Sequence, residues 1–277
     1  MRASIRSLLY VPGNRTDLFA KADRTEADVI ILDLEDAVAA SAKHEALSAT
    51  CRAIGNYAGH KRLFVRINDG VQGLDDVAAL AHASKHLDTL LIPKAEGGAS
   101  FERLVACTDR LPSTVGLQPI VETVSGLYSM RAVCDASPRV VRFSFGAGDF
   151  VADIGARHSD ERSETLLARS TLVLESRLLR LKPPIAHVAP DFRDHEKLRR
   201  ISAEDRALGF GGRACIHPAQ VPIVNAEFGI SESERERALL IVARFEAMAV
   251  SGVGSFTLDD GTFVDEAVAK LARASLG

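Results

Sequence analysis

Asp33, Glu35 and Asp36 stand within four residues of one another at the end of an apolar run, DVIILDLEDAV from Asp28 to Val38. Carboxylates so crowded repel one another unless a cation or basic partner sits beside them, and the repulsion raises their pKa values. A helix cap and two solvated charges account for the same residues, and one strand end does not choose between the readings. Other strand ends carry matching chemistry. Arg66 falls near the end of RLFVRIN, where desolvating its guanidinium demands an anion or a carboxylate partner. Glu122 closes GLQPIVE, and Asp149 follows the turn Gly146-Ala147-Gly148, whose glycines let backbone approach closely and the carboxylate point inward. Two carboxylates on successive strand ends, without His or Cys beside them, suit a hard ion such as Mg²⁺. That ion takes one or two protein carboxylates and fills its shell with water and substrate oxygens. A helix cap for Asp149 and a salt bridge from Glu122 to Arg66 or Lys94 satisfy the same spacing. Arg66 could bind a substrate carboxylate, stabilise a developing enolate, or pair with Glu35 or Glu122.

These groups need elements to hold them. Apolar strand-like runs alternate with helix-like segments over nearly the whole chain of 277 residues, a βαβα pattern. Strands are expected at 7–12, 28–35, 62–68, 89–94, 116–122, 140–146, 185–189 and 213–217. Helices are expected near 16–24, 41–54, 74–85, 100–110, 126–135, 164–181 and 196–208, then at 218–228 and 232–249. Eight strand–helix pairs argue for an α/β fold of the closed (β/α)₈ TIM-barrel type, in which catalytic groups come from the carboxyl ends of strands. The first turn, VPGNR, lacks the Gly-rich phosphate loop of an open doubly wound sheet. The barrel is assigned to residues 1–250. Gly252 and Gly254 break the preceding helix, Asp259-Asp260-Gly261 marks a turn, and an amphipathic helix covers 266–276. Residues 251–277 therefore read as a short C-terminal helical extension, expected to pack on a neighbouring subunit.

Composition excludes several classes. A net charge of −3 without a Lys/Arg block gives no electrostatic footprint for nucleic acid. The apolar run in MRASIRSLLYVPG is too short for a signal peptide, and no stretch reaches membrane-span length, so a cytoplasmic location is expected. Cys51, Cys107, Cys134 and Cys215 lack metal-type spacing and read as reduced, buried thiols. His217 has no second His at ligand spacing and reads as a hydrogen-bonding group at the end of the last strand, while His187 is open to either reading. No nucleophilic Ser or Cys arrangement is present.

In order along the chain, RSLLYVPGNR, DVIILDLEDAV, RIN, IPKAE, PIVET, FSFGAGDF, LGFGGRACIHPAQ and DGTFVDEA resemble the HpcH/HpaI aldolase/citrate lyase superfamily, most nearly its citrate lyase β-subunit-like branch. The resemblance covers essentially the whole chain. It implies a Mg²⁺-dependent barrel enzyme, a homotrimer or hexamer, that makes or breaks a carbon–carbon bond between an acyl thioester and an oxo-acid. It implies Glu122 and Asp149 as metal ligands, Arg66 as the contact to substrate and thioester carbonyl, and Glu35 and Asp36 as holders of metal-bound water and of Arg66. Asp33 is then left a structural role in its strand. Tyr10, Arg15 and Lys21 match positions that grip the coenzyme A nucleotide in malyl-CoA lyase-like members. Asp265 matches an aspartate that related enzymes supply from a neighbouring subunit as general base.

The activity implied is cleavage of a short 3-hydroxy-dicarboxylyl thioester, of malyl, citramalyl or citryl type, into an acetyl thioester and a 2-oxo acid. The alternatives are a citrate lyase β subunit acting on citryl-acyl-carrier protein within a complex, and a non-catalytic barrel that binds a metabolite. Two departures stand out. The seventh strand reads Ile185-Ala186-His187-Val188 where the family commonly has an aspartate, and Thr16-Asp17 stands where Pro-Glu is frequent. The first bears on substrate identity.

Overall fold

Every residue of the strand Val29–Asp33 is buried, which a strand achieves only when both of its faces find partners. In the computed structural model, which describes residues 4–276, this strand is β2 of a closed barrel of eight parallel strands. β1 (Ser7–Pro12) pairs with β2 on one side and with β8 (Gly212–Cys215) on the other, which closes the ring. Between them run β3 (Arg62–Arg66), β4 (Leu87–Ile92), β5 (Gly116–Val121), β6 (Ser144–Phe145) and β7 (Ile185–Ala186). The connecting helices are α1 (Thr16–Ala22), α2 (Lys43–Gly55), α3 (Gly70–Leu80) and α4 (Ala99–Thr108). They continue as α5 (Val124–Tyr128), α6 (Met130–Ala136), α7 (Ala147–Asp153), α8 (Leu166–Leu178), α9 (His195–Leu208) and α10 (Gln220–Phe228). The (β/α)₈ barrel read from the alternation is the fold.

Side-chain alternation along the strands sorts the core into two layers. Leu9, Val11, Ile30, Leu32, Leu63 and Val65 belong to the large cluster shared with the helices. Leu8, Val29, Ile31, Phe64, Ile120 and Ile185 belong to a separate cluster, the apolar filling of the barrel. Continuing that second set by two residues in each strand gives Tyr10, Asp33, Arg66, Glu122 and His187. One pleat step thus carries five polar side chains onto the carboxyl-end rim, directly above an apolar plug.

Two expected strands are shorter than the sequence pattern suggests. β6 and β7 hold two residues each. Residues 139–141 still exchange hydrogen bonds with Leu117 at 2.8 and 2.9 Å, and β7 is preceded by Pro183 and Pro184, which have no N–H to donate to a ladder. The helix expected at 126–135 is divided at Ser129, with Thr123 capping α5 by accepting the Gly126 N–H.

A second compact unit begins at Gly229. Its helix α11 (Glu232–Val250) starts with a capping box between Ser231 and Glu234. Its buried face, Ala238, Ile241 and Phe245, packs with Leu258, Val264, Ala269 and Ala272. Those residues lie in a hairpin of β9 (Phe256–Thr257) and β10 (Phe263–Val264) and in α12 (Glu266–Leu276). The sequence reading draws the boundary at 250, whereas α11 groups with the tail because its apolar face is matched there. All four cysteines are free, three of them only half-buried. No helix among the described residues is long and apolar enough to cross a membrane.

Candidate active site

The register between β2 and β3 sets Asp33 beside Arg66. Arg66 Nε and Nη2 each donate to an Asp33 carboxylate oxygen at 2.7 Å, a bidentate pair whose planar fork fixes the guanidinium. Nη1 donates to Asp36 at 3.1 Å. It also lies 2.9 Å from Glu35 Oε2, an ion-pair distance without hydrogen-bond alignment, so that this oxygen has no hydrogen-bond partner. All three crowded acids thus converge on one cation. The family resemblance implies that Glu35 and Asp36 orient Arg66 and leaves Asp33 a structural role. The geometry makes Asp33 the principal partner, and the alternation from Ile31 was the signal that could have found it. The Arg66 guanidinium also stands over the Tyr10 ring, 5.0 Å from its centroid. Burial alone would lower the Arg66 pKa, but the Asp33 hydrogen bonds and the surrounding anions leave it above its ordinary value. Lys43, which sequence reasoning did not single out, fixes the loop after β2 by donating to the carbonyls of Leu34 and Glu35.

Glu122 is buried across the cavity. Its Oε2 accepts the backbone N–H of Lys94 at 2.8 Å, and Lys94 adopts a left-handed backbone with φ +44° to present that N–H. Such a conformation is costly for a non-glycine residue and persists where the surroundings over-determine it. Gly146 is bare for a steric reason: a Cβ there would stand 2.3 Å from Glu122 Cγ and 2.6 Å from its Oε1. Burial pushes the Glu122 pKa up to about 7; the Lys94 N–H opposes this, and the charges of Glu35 and Asp149 add to it. Burial likewise raises Glu35 to about 7 against the pull of Arg66. The Lys94 ammonium lies 3.5 Å from Glu35 Oε1. Asp149 is exposed in the first turn of α7. A cavity of about 410 Å³ is lined by Tyr10, Asp33, Asp36, Arg66, Glu122 and Asp149 among others.

This donor set fits a hard divalent cation. Its donors are carboxylate oxygens, only one oxygen of buried Glu122 accepts a protein hydrogen bond, and burial charges Glu122 and Glu35 reluctantly unless a cation compensates. Among the described residues no group of three or more His, Cys, Asp or Glu side chains is arranged around a metal position. An ion that keeps most of its shell for water and substrate needs no such group.

The remaining sequence-derived positions divide. Tyr10 lies inside the cavity, whereas Arg15 is exposed and paired with Asp17 at 2.8 Å, and Lys21 is exposed on α1. Asp265 belongs to the second unit, where it accepts the Val268 N–H at 3.0 Å in the first turn of α12. His187 Nδ1 accepts the Ala147 N–H at 3.2 Å, which places the ring proton on Nε2. Burial lowers its pKa to about 4, so the ring is neutral. His217 accepts the Ala219 N–H and stacks on Phe192 with centroids 4.5 Å apart.

A profile of the HpcH/HpaI aldolase/citrate lyase family matches residues 6–218. The chain belongs to that family. Within it, the (3S)-malyl-CoA thioesterase of Cereibacter sphaeroides (strain KD131) is 34% identical over 275 residues, covering 98% of this chain and 93% of that protein. The mitochondrial citramalyl-CoA lyase of Homo sapiens is 33% identical over 288 residues, covering 97% of this chain and 83% of that one. Among solved structures, CitE from Mycobacterium tuberculosis in complex with magnesium, acetoacetate and coenzyme A gives a TM-score of 0.81 at 30% identity. That match covers 100% of this chain and 98% of CitE.

Proposed function

We propose that this chain is a Mg²⁺-dependent carbon–carbon lyase that cleaves a short 3-hydroxy-dicarboxylyl thioester, of malyl, citramalyl or citryl type, into an acetyl thioester and a 2-oxo acid. The observation that carries the reading is that a permanently charged Arg66, held by Asp33, and a buried Glu122 line one cavity. Relatives named for malyl-CoA and citramalyl-CoA chemistry, and a structural neighbour described with magnesium and coenzyme A, support it. Glu122 and Asp149 would hold Mg²⁺, which when bound supplies Lewis acidity toward the carboxylate and adjacent oxygen of the oxo-acid portion.

The chain's own groups do the rest. In cleavage the 3-hydroxyl gives up its proton, the bond between the second and third carbons breaks, and its electron pair passes to the thioester carbonyl oxygen. Arg66, charged and held by Asp33, Glu35 and Asp36, stabilises that enolate without having to reorganise. Protonation at carbon then releases the acetyl thioester, and the former hydroxyl leaves as the oxo group. In this reading Asp265 is the base that moves the carbon-bound proton, supplied by a neighbouring copy in a homotrimer or hexamer, with the second unit packed on that neighbour. Exposed Leu167, Leu174 and Leu178 on one face of α8 favour such self-association. Tyr10, Arg15 and Lys21 would grip the coenzyme A nucleotide, and a cytoplasmic location belongs to the same reading.

The test is a panel of malyl-, citramalyl- and citryl-CoA with Mg²⁺, read by acetyl-CoA release. Release from at least one, abolished by Glu122→Ala, is expected; hydrolysis to free coenzyme A without a 2-oxo acid, or no reaction, would overturn it. Turnover of citryl-acyl-carrier protein alone would select the citrate lyase β-subunit alternative.

A further inference from the structure

A second cavity, of about 430 Å³, adjoins the first. The two share Phe145, Gly148, Ala186, His187 and Val188 as a common wall, so they meet at the ends of β6 and β7. Beyond that wall the second cavity is bounded by Pro190, Ile201 and Phe210 and by an ionic floor.

The floor is satisfied from within. Asp205, 1% exposed, accepts from Arg162, Arg169 and Arg213 together. Arg162 is further engaged by Glu204, and Arg213 by Ser202 and the carbonyls of His187 and Ile201. Arg162 Nε has no partner, but it is sealed from solvent and offers nothing to a ligand. Two further charged side chains of the lining are engaged, Lys197 by Asp160 and Glu164 by Ser159, each at 2.6 Å. With its cations so occupied, the cavity is poorly equipped to take a second carboxylate or a phosphate, which would arrive desolvated and unpaired. Phe145, Val188, Ile201 and Phe210 give it apolar walls, and the exposed His158, Asp191 and Asp194 line it as well. At the doorway stands a single polar ring, His187. The Ala147 N–H donated to its Nδ1 keeps that nitrogen an acceptor, so the ring brings no charge to the passage.

An oxo-acid has three substituents on its reacting carbon: the oxo oxygen, the carboxylate and a variable group. The first two belong to the cavity of Arg66, Glu122 and Asp149, and the third must leave it. We propose that the second cavity receives this third substituent, so that beside the small malyl- and citramalyl-type acids this chain accepts an oxo-acid whose third group is apolar and larger than methyl, with His187 standing at its passage. The inference rests on the lyase reading and extends its substrate class to an alkyl or aryl branch.

The condensation direction tests it with few reagents. Acetyl-CoA and Mg²⁺ are supplied with glyoxylate, pyruvate, 2-oxobutanoate or 2-oxopentanoate. The thioester methyl carbon then bonds to the oxo carbon, its proton goes to the base, and the oxo oxygen gains a proton to become hydroxyl. Apolar pockets distinguish one methylene by about 10–200-fold in kcat/KM. The expected result is a kcat/KM for 2-oxopentanoate at least equal to that for pyruvate, with dissociation constants from calorimetry following the same order. Ala189, a small buried residue lining only the second cavity, offers a way to fill it. Ala189→Leu is expected to lower the ratio of 2-oxopentanoate to pyruvate kcat/KM by about tenfold. If that variant does not fold, the wild-type series decides alone. A kcat/KM for 2-oxopentanoate below that for pyruvate would overturn the inference and leave the lyase reading standing. No condensation with any of the four acids would overturn the inference, and acetyl-CoA release in the cleavage panel then decides the lyase reading separately.

Discussion

Asp33 and Arg66 face each other on adjacent strands and share two hydrogen bonds of 2.7 Å, with Asp33 almost wholly buried. Removing one partner of a buried ion pair leaves the other charge without compensation, at a cost of about 3–5 kcal/mol. Glu35 and Asp36 remain to take up part of that charge, so Asp33→Ala is expected at the low end, about 3 kcal/mol by denaturant unfolding. Its guanidinium would also lose its fixed direction, and a group displaced by about 1 Å can cost on the order of 100-fold in turnover. Asp36, whose side chain is 67% exposed, is the control: Asp36→Ala is expected to cost under about 1 kcal/mol. Equal effects from the two variants would refute the assignment of Asp33 as the main holder of Arg66.

Gly146 makes room for Glu122. Because a Cβ would meet Glu122 at Cγ and not only at the flexible carboxylate end, Gly146→Ala must turn the whole side chain away from the Lys94 N–H. Its φ of −106° is open to alanine, so backbone strain is not involved. The expected signature is a loss of Mg²⁺ affinity of about 10-fold or more with little change in unfolding midpoint. A variant that binds Mg²⁺ as tightly as wild type would remove Glu122 from the metal site.

The fold was legible because β2 and its neighbours are apolar on both faces, a pattern that few architectures other than a covered parallel sheet accommodate. The strand ends were legible for the same reason: a polar residue directly after such a run stands out. What crowding could not reveal was direction. Asp33, Glu35 and Asp36 look alike in sequence, and only counting by twos from Ile31 turns Asp33 inward to Arg66. Glu122 and Asp149 stand out by their places at strand ends, but the steric role of Gly146 and the strained Lys94 N–H depend on distances that no spacing encodes. Asp205 was missed altogether. It sits in α9 among Glu and Arg residues with no pattern that singles it out, and its three arginine partners come from separate elements.

That buried cluster carries a stability prediction of its own. Asp205 is the shared acceptor of Arg162, Arg169 and Arg213, so Asp205→Ala leaves three guanidinium groups around a site that has lost its central anion. A loss of about 3–5 kcal/mol is expected, read as a lowered midpoint in urea. Glu204→Ala removes a carboxylate whose side chain is 39% exposed and should cost under about 1 kcal/mol. A mild Asp205 phenotype would mean that the arginines are compensated by water rather than by this side chain.

Glu35 and Glu122, both pushed to about 7 by burial, make stability depend on pH in a definite sense. Their ordinary values are about 4.3, so between about pH 4.3 and 7 the folded state holds more protons than the unfolded one. Stability from these groups is therefore fully present below the unfolded value and is lost as pH rises through 7. His187 acts in the opposite sense. Its pKa is lowered to about 4 by burial, and its contribution is lost as pH falls from about 6.5 toward 4. Comparing wild type with Glu122→Gln cancels the His187 contribution. Without added metal, wild type is expected to lose more melting temperature between pH 5 and 8 than the variant does. Cations compete with protons for carboxylates, so Mg²⁺ should raise the wild-type melting temperature more at pH 8 than at pH 5, and barely raise that of Glu122→Gln at either. Thermal unfolding at two pH values, with and without Mg²⁺, reads all of this, and identical pH profiles for the two proteins would show that Glu122 is not a buried, cation-seeking carboxylate.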